Sequence, residues 1–189
     1  GMEYEIFNKL KNVSFPAKLT NIPNDSNKTV EDYLIENKIE YLNGLEDQVL
    51  IINDDEFRLA TIHGIGDFKK FKKKVLGNNL QEININSHLP EIYLGRSLTS
   101  KLNIALGDTV DISASKQINI FTGLPSKITM IVGGIYELMV LDYDQKHIFT
   151  NYSALKDFIP ENRLLYYLHE IPEEYFSNAI TQYFPGLDL

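Results

Sequence analysis

The stretch 92–112, Ile-Tyr-Leu-Gly-Arg-Ser-Leu-Thr-Ser-Lys-Leu-Asn-Ile-Ala-Leu-Gly-Asp-Thr-Val-Asp-Ile, restricts the folds open to this chain more than any other. Its signals run strand, turn, helix, turn, strand. Ile92, Tyr93 and Leu94 are β-formers that follow the breaker Pro90. Gly95 permits a sharp backbone turn. Leu98 and Leu102 lie four apart and share one face of a helix. Asn103 tolerates the left-handed conformation, which places the helix end there. Gly107-Asp108 makes the next turn, and residues 109–112 alternate as a strand. The stretch therefore predicts a small helix docked on a sheet, which is a packing arrangement without chemistry of its own.

The segments before it read as a β-α-β-β unit. Ile6, Phe7, Leu10 and Val13 form a helical stripe over 3–13, and residues 15–22 make an imperfect strand that ends at Pro23. Thr29 with Asp32 is a capping pair that opens a helix over 30–37. Strands are predicted at 39–42, 48–52 and 57–65, with Asn43-Gly44 and Asn53-Asp54-Asp55 as turns. Residues 67–75 carry Lys69, Lys70, Lys72, Lys73 and Lys74 around Phe68 and Phe71. On an acidic chain this reads as a solvated helix with both aromatic rings turned inward. Ile83 and Ile85 mark a short extended link into Pro90.

Residues 113–126 exceed an ordinary hairpin connection, yet include Ile118, Ile120, Phe121 and Leu124. Two placements are open: strand residues packed inside, or an exposed loop that a partner covers. A long β segment spans 127–141, with Gly133-Gly134 as a bulge or a close crossing. A turn at 142–145 and a strand at 147–150 follow. Asn151 or Ser153 caps a helix over 154–158 that Pro160 closes. A strand over 163–169 precedes a last helix, which begins at Pro172 with Glu173 and Glu174 at its positive end. The expected fold class is α+β. Residues 1–75 and 152–189 would form one α+β subdomain, and 76–151 an inserted β-rich subdomain with one short helix.

The charge of −8 argues against a nucleic-acid binder, whose footprint is basic. The absence of cysteine removes thiol catalysis and Cys-based zinc sites. Neither His63, His88, His147 nor His169 has metal-ligand spacing, and no dinucleotide, Walker or nucleophile-elbow motif occurs. The tight carboxylate clusters, Asp54-Asp55-Glu56 and Asp142/Asp144, fall in predicted turns, where solvated Asp is the ordinary occupant. The chain reads as non-enzymatic, with no cofactor and no metal. No apolar run approaches the ~20 residues that span a bilayer.

Leu94-Gly95, Leu98, Leu102, Ile104 and Gly107-Asp108 resemble a pattern in the extracytoplasmic domain of MacB/LolC/LolE-type permeases. The sequel is similar in the same order: a loop, the strand ending Gly133-Gly134-Ile135-Tyr136, then Tyr143-Asp144, then a strand entering Ser153-Ala154-Leu155. The resemblance covers about Ile92 to Phe158. It implies a MacB-like periplasmic core, in which the N- and C-terminal parts form one layer and the β-rich part is inserted. It also implies a non-catalytic domain of an ABC transporter permease, at the extracytoplasmic face of the bacterial inner membrane, nearest the lipoprotein-releasing branch. Partners implied are a cytoplasmic ATPase subunit reached through transmembrane helices, a second permease subunit and a periplasmic lipoprotein carrier. In that branch the loop at the position of 113–126 is an outward hook for the carrier, and the matching residues are Phe121, Thr122, Gly123, Leu124 and Pro125. Gly1-Met2 reads as a remnant ahead of a start methionine, and the chain as a piece of a longer membrane protein. A free-standing peptide- or lipid-binding module is the rival reading; a third is an enzyme with converging carboxylates.

Overall fold

The structure, a computed structural model, describes residues 17–19, 27–159 and 164–168. Its strands are β1 (Ala17–Leu19), β2 (Tyr41–Asn53), β3 (Glu56–Ile65), β4 (Leu80–Glu82), β5 (Glu91–Gly95), β6 (Thr109–Ile118), β7 (Pro125–Tyr136), β8 (His147–Asn151) and β9 (Leu164–Leu168). Short helices punctuate them: α1 (Asn27–Glu36), α2 (Phe68–Phe71), α3 (Arg96–Leu102), α4 (Leu141–Lys146) and α5 (Tyr152–Leu155). The class is α+β, as the sequence predicts. The expected helices over 3–13 and from Pro172 lie outside the described residues.

Strand pairing closes a ring. β2 pairs β3, β3 pairs β8, β8 pairs β5, β5 pairs β7, β7 pairs β6, and β6 returns to β2. Two of these contacts, β3 with β8 and β5 with β7, are parallel, and the others are antiparallel. β9 continues the open edge of β2, β1 pairs β9, and β4 continues the edge of β7. The boundary drawn near residue 75 falls between β3 and β4. Hydrogen bonds cross it, because β2 and β3 share the ring with β5 to β8.

Side-chain alternation decides what fills this barrel. Val49, Ile51, Ala60, Ile62, Ile92, Leu94, Ile112, Met130 and Ile148 point inward and are buried in one cluster. Leu98 and Leu102 of α3, with Leu155 of α5 and Ile159, belong to the same cluster. A second cluster lies on the outer wall. There Phe68, Phe71, Val75 and Leu76 cover Tyr93, Tyr136, Phe149 and Tyr167. Phe68 and Phe71 are thus turned inward from the lysine-rich segment, which runs from α2 into a π-type turn at Lys72–Leu76.

Three local expectations are corrected. Strands 39–42 and 48–52 are one strand, β2, and Asn43-Gly44 does not turn the chain. Gly44 is there for space: a Cβ would overlap the Tyr167 ring, whose Cδ2 would lie 2.9 Å away. Residues 142–145 lie in helix α4 rather than in a bare turn. The long segment 127–141 stops pairing at Tyr136. Its glycines serve both anticipated purposes. Gly133 is the bulge, since Ile92 pairs Val132 and Tyr93 pairs Gly134. The bulge resets the alternation, so that Ile135 faces the barrel and Tyr136 the outer cluster. A Cβ on Gly134 would fall within the Tyr93 ring.

Candidate functional site

β6 and β7 leave the barrel together. β6 pairs β2 only over 111–113, and β7 pairs β5 only from Ile131 onward. Between Ala114 and Ser126 the described pairing is of the two strands with each other. Three residues, 115–117, are taken up on β6 between the Ala114–Ser126 and Ile118–Pro125 pairs, a wide irregularity in the ribbon.

The ribbon ends in a loop that satisfies its own backbone. The Asn119 amide donates to the Leu124 carbonyl at 2.8 Å, and the Gly123 amide to the Asn119 carbonyl at 2.8 Å. The Asn119 side-chain oxygen accepts from the Phe121 and Thr122 amides at 2.9 and 3.3 Å. The Thr122 hydroxyl accepts from the Leu124 amide at 3.3 Å. Gly123 takes a positive φ of 67° in open space, the conformation glycine adopts without strain. The polar groups are thereby turned inward on themselves, and the apolar side chains are left to solvent.

All five residues of the predicted hook, Phe121, Thr122, Gly123, Leu124 and Pro125, are exposed on this tip. Phe121 is 91% exposed and Leu124 64%. Of the two placements open from the sequence, the exposed one is found. The tip is broader than the sequence match, because Ile118 and Ile120 are also exposed, Ile120 at 88%. Their presence in an over-long connection was the available signal. Four apolar side chains on one self-contained loop form a surface that water penalises and an apolar partner would cover.

The other resemblance residues meet at one corner beside the barrel. A Cβ on Gly95 would collide with the Asp144 carbonyl and lie 2.6 Å from the Asp144 Cα. The glycine therefore lets α4 approach the end of β5 at backbone distance. Asp144 is buried, and its carboxylate accepts from the Leu138 and Met139 amides, both at 3.0 Å. Burial raises its pKa, and these backbone bonds oppose the rise. The Tyr136 hydroxyl donates to the Tyr143 carbonyl at 2.7 Å and also reaches the His147 carbonyl. Gly95, Tyr136 and Tyr143-Asp144 are one structural device, which pins α4 to the barrel.

Asp54, Asp55 and Glu56 border a shallow acidic groove with Asp108, and Asp108 accepts from the Ala105 amide at 2.8 Å. Among the described residues no group of three or more His, Cys, Asp or Glu side chains could hold a metal ion. Among them, too, no helix is long and apolar enough to cross a membrane. His63 and His147, read separately in sequence, are in contact, because parallel pairing of β3 with β8 joins residues that no local signal connects.

By sequence the chain matches no family model and no curated protein. By fold it is similar to the extracellular domain of the noncanonic ABC-type transporter YknZ from Gram-positive bacteria. That superposition has a TM-score of 0.50 and covers 85% of this chain and 86% of the other at 11% identity. At this identity the likeness is one of fold. A permease-protein domain from Porphyromonas gingivalis aligns over 76% of this chain and 62% of its own length. Its TM-score is 0.42 at 13% identity, too slight to carry an argument.

Proposed function

We propose that this chain is a non-catalytic extracytoplasmic domain of an ABC transporter permease. One observation carries the reading: the first and last described strands are antiparallel neighbours, with Ala17 opposite Leu168 and Leu19 opposite Tyr166. The two ends of the described chain are therefore adjacent. A loop held between two membrane helices requires this arrangement, and a free-standing module does not. The likeness in fold to the YknZ extracellular domain supports the same reading.

In this reading ATP is hydrolysed on a separate cytoplasmic subunit. The domain moves as a body with its membrane helices and carries the β6–β7 tip to cargo or partner. A closed ring with its own core suits that task, because each of its six strands is paired on both sides within the ring. The finer assignment is the lipoprotein-releasing type. A second permease subunit completes the complex, and Phe121, Thr122, Gly123, Leu124 and Pro125 touch a periplasmic lipoprotein carrier. The acceptor surface is an apolar groove, in which each large tip side chain contributes about 1.5–3 kcal/mol when fully covered.

The test uses the absence of cysteine from this chain. A Phe121→Cys substitution in the full-length gene product, in its native cells, gives this domain one thiol at an exposed position. A membrane-impermeant maleimide is expected to label it from outside the cytoplasmic membrane. Labelling only after that membrane is ruptured would overturn the reading.

A further inference from the structure

His63 on β3 and His147 on β8 both point out of the barrel. The parallel register sets His147 beside Thr61 and His63 beside Phe149, so the two imidazoles meet on the diagonal. His63 Nε2 lies 2.8 Å from His147 Nδ1, and the rings stack with centroids 5.1 Å apart. From β9, the Tyr167 hydroxyl sits 2.9 Å from His63 Nδ1, and from β2, Glu46 Oε2 sits 3.5 Å from the same nitrogen. The Tyr167 hydroxyl donates to Glu46 at 3.4 Å. At the other end Asp142 of α4 lies 3.6 Å from His147 Nε2 and also pairs with Lys146 at 3.2 Å. Tyr143 stacks on His147, Phe149 stacks on His63, and Phe71 of α2 covers Phe149. The Thr61 hydroxyl, beside His147 in the register, accepts from the Gln48 side-chain Nε2 at 2.7 Å. Lys70 and Lys74, which line a cleft with Tyr167, are paired with Glu40. The donor atoms follow a line through the two rings instead of surrounding a point, so the arrangement serves protons and not a metal ion.

The two ends of that line fix where the hydrogens stand. Burial, and then Glu46, hold the Tyr167 hydroxyl far above its usual pKa, so it stays protonated and donates to Glu46. Its oxygen accepts from His63 Nδ1–H. Neutral His63 then offers a lone pair at Nε2, and His147 donates to it from Nδ1. The remaining lone pair, on His147 Nε2, faces Asp142. The pair holds one proton with the bond between the rings intact. With both rings charged neither nitrogen of that bond keeps a lone pair to accept with, so the bond is lost and two imidazolium ions are left stacked in contact.

We propose that His63 and His147 form a proton-sensitive clasp, which ties β9, β2 and β3 to β8 and α4 until both rings are protonated and releases that corner when they are. Through β9, the clasp makes acidity act on the last described strand, which pairs both β1 and β2.

Burial, and then the charge of His63, hold His147 below its ordinary 6.5, against the pull of Asp142. Between 6.5 and that lower folded value the unfolded chain binds more protons than the folded one. Stability is therefore fully present above 6.5 and is lost as pH falls through the folded value.

The test is an NMR titration of the histidine rings of the whole chain from about pH 8 to about pH 5, with urea unfolding across the same range. Exposed His88 is the internal reference. His147 is expected to titrate below 6.5, and that step should also move the His63 and Tyr167 resonances. In His147→Asn the side-chain amide takes the place of Nδ1 and still donates to His63 but takes up no proton, and the pH slope of stability should fall to about half or less. Titration of His147 at or above 6.5, or a wild-type slope in the variant, would overturn the proposal. If the variant does not fold, the titration of the native chain decides alone by the same criterion.

Discussion

Two glycines separate the two physical reasons for having no side chain. Gly95 has an ordinary extended conformation, with φ −72° and ψ 148°, but the backbone of Asp144 occupies the place of its Cβ. Gly123 has open space around it but a φ of 67°. Gly95→Ala must push α4 off the barrel and is expected to lower the free energy of unfolding by about 3 kcal/mol or more. Gly123→Ala meets only the left-handed penalty, about 1 kcal/mol. Urea unfolding midpoints of the two variants check the order, and equal losses would contradict it. The sequence indicated that Gly95 is needed but not why. It sits at a strand–helix junction where a turn was expected, whereas its actual neighbour, Asp144, is 49 residues further on. Asp144 was likewise read as a solvated turn residue, yet it is buried and holds two backbone amides.

At the level of elements, local signals were legible and long-range ones were not. Leu98, Leu102 and Asn103 predict α3 and its end, and Asn103 does take the left-handed conformation, with φ 51°. The aromatic pair in the lysine-rich segment was also readable, since Phe68 and Phe71 lie three apart and face the wall. Phe71 is fully enclosed, so Phe71→Ala is expected to remove about 3–5 kcal/mol of stability, measured by urea unfolding. Asn43-Gly44 misled because a turn signature and a glycine required by a tyrosine ring look the same in one dimension. The exposed tip was half legible: the excess length and apolar content of 113–126 were visible, but not which way the side chains point. Its exposure makes an opposite prediction from that for Phe71. Phe121→Ala should change stability by no more than about 0.5 kcal/mol while weakening binding of any partner that covers the tip. Loss of folding in Phe121→Ala would contradict the tip's independence from the core.

At the scale of the molecule, the ring is closed by contacts that no periodicity announces. β6 seals it by pairing β2 and β7, and the parallel contacts of β3 with β8 and β5 with β7 join segments separated by other elements. This is why a division near residue 75 looked natural in sequence while β2 and β3 share a core with β5 to β8. The same topology brings Ala17 beside Leu168 and so supports a domain entered and left at one place. The central claim, a permease loop between two membrane helices, is tested most directly by reading the native gene on both sides of this segment. A permease loop would be flanked by an apolar run of about 20 residues shortly before Met2 and another a little beyond Leu189. A reading frame that begins at Met2 and stops at Leu189 would contradict it.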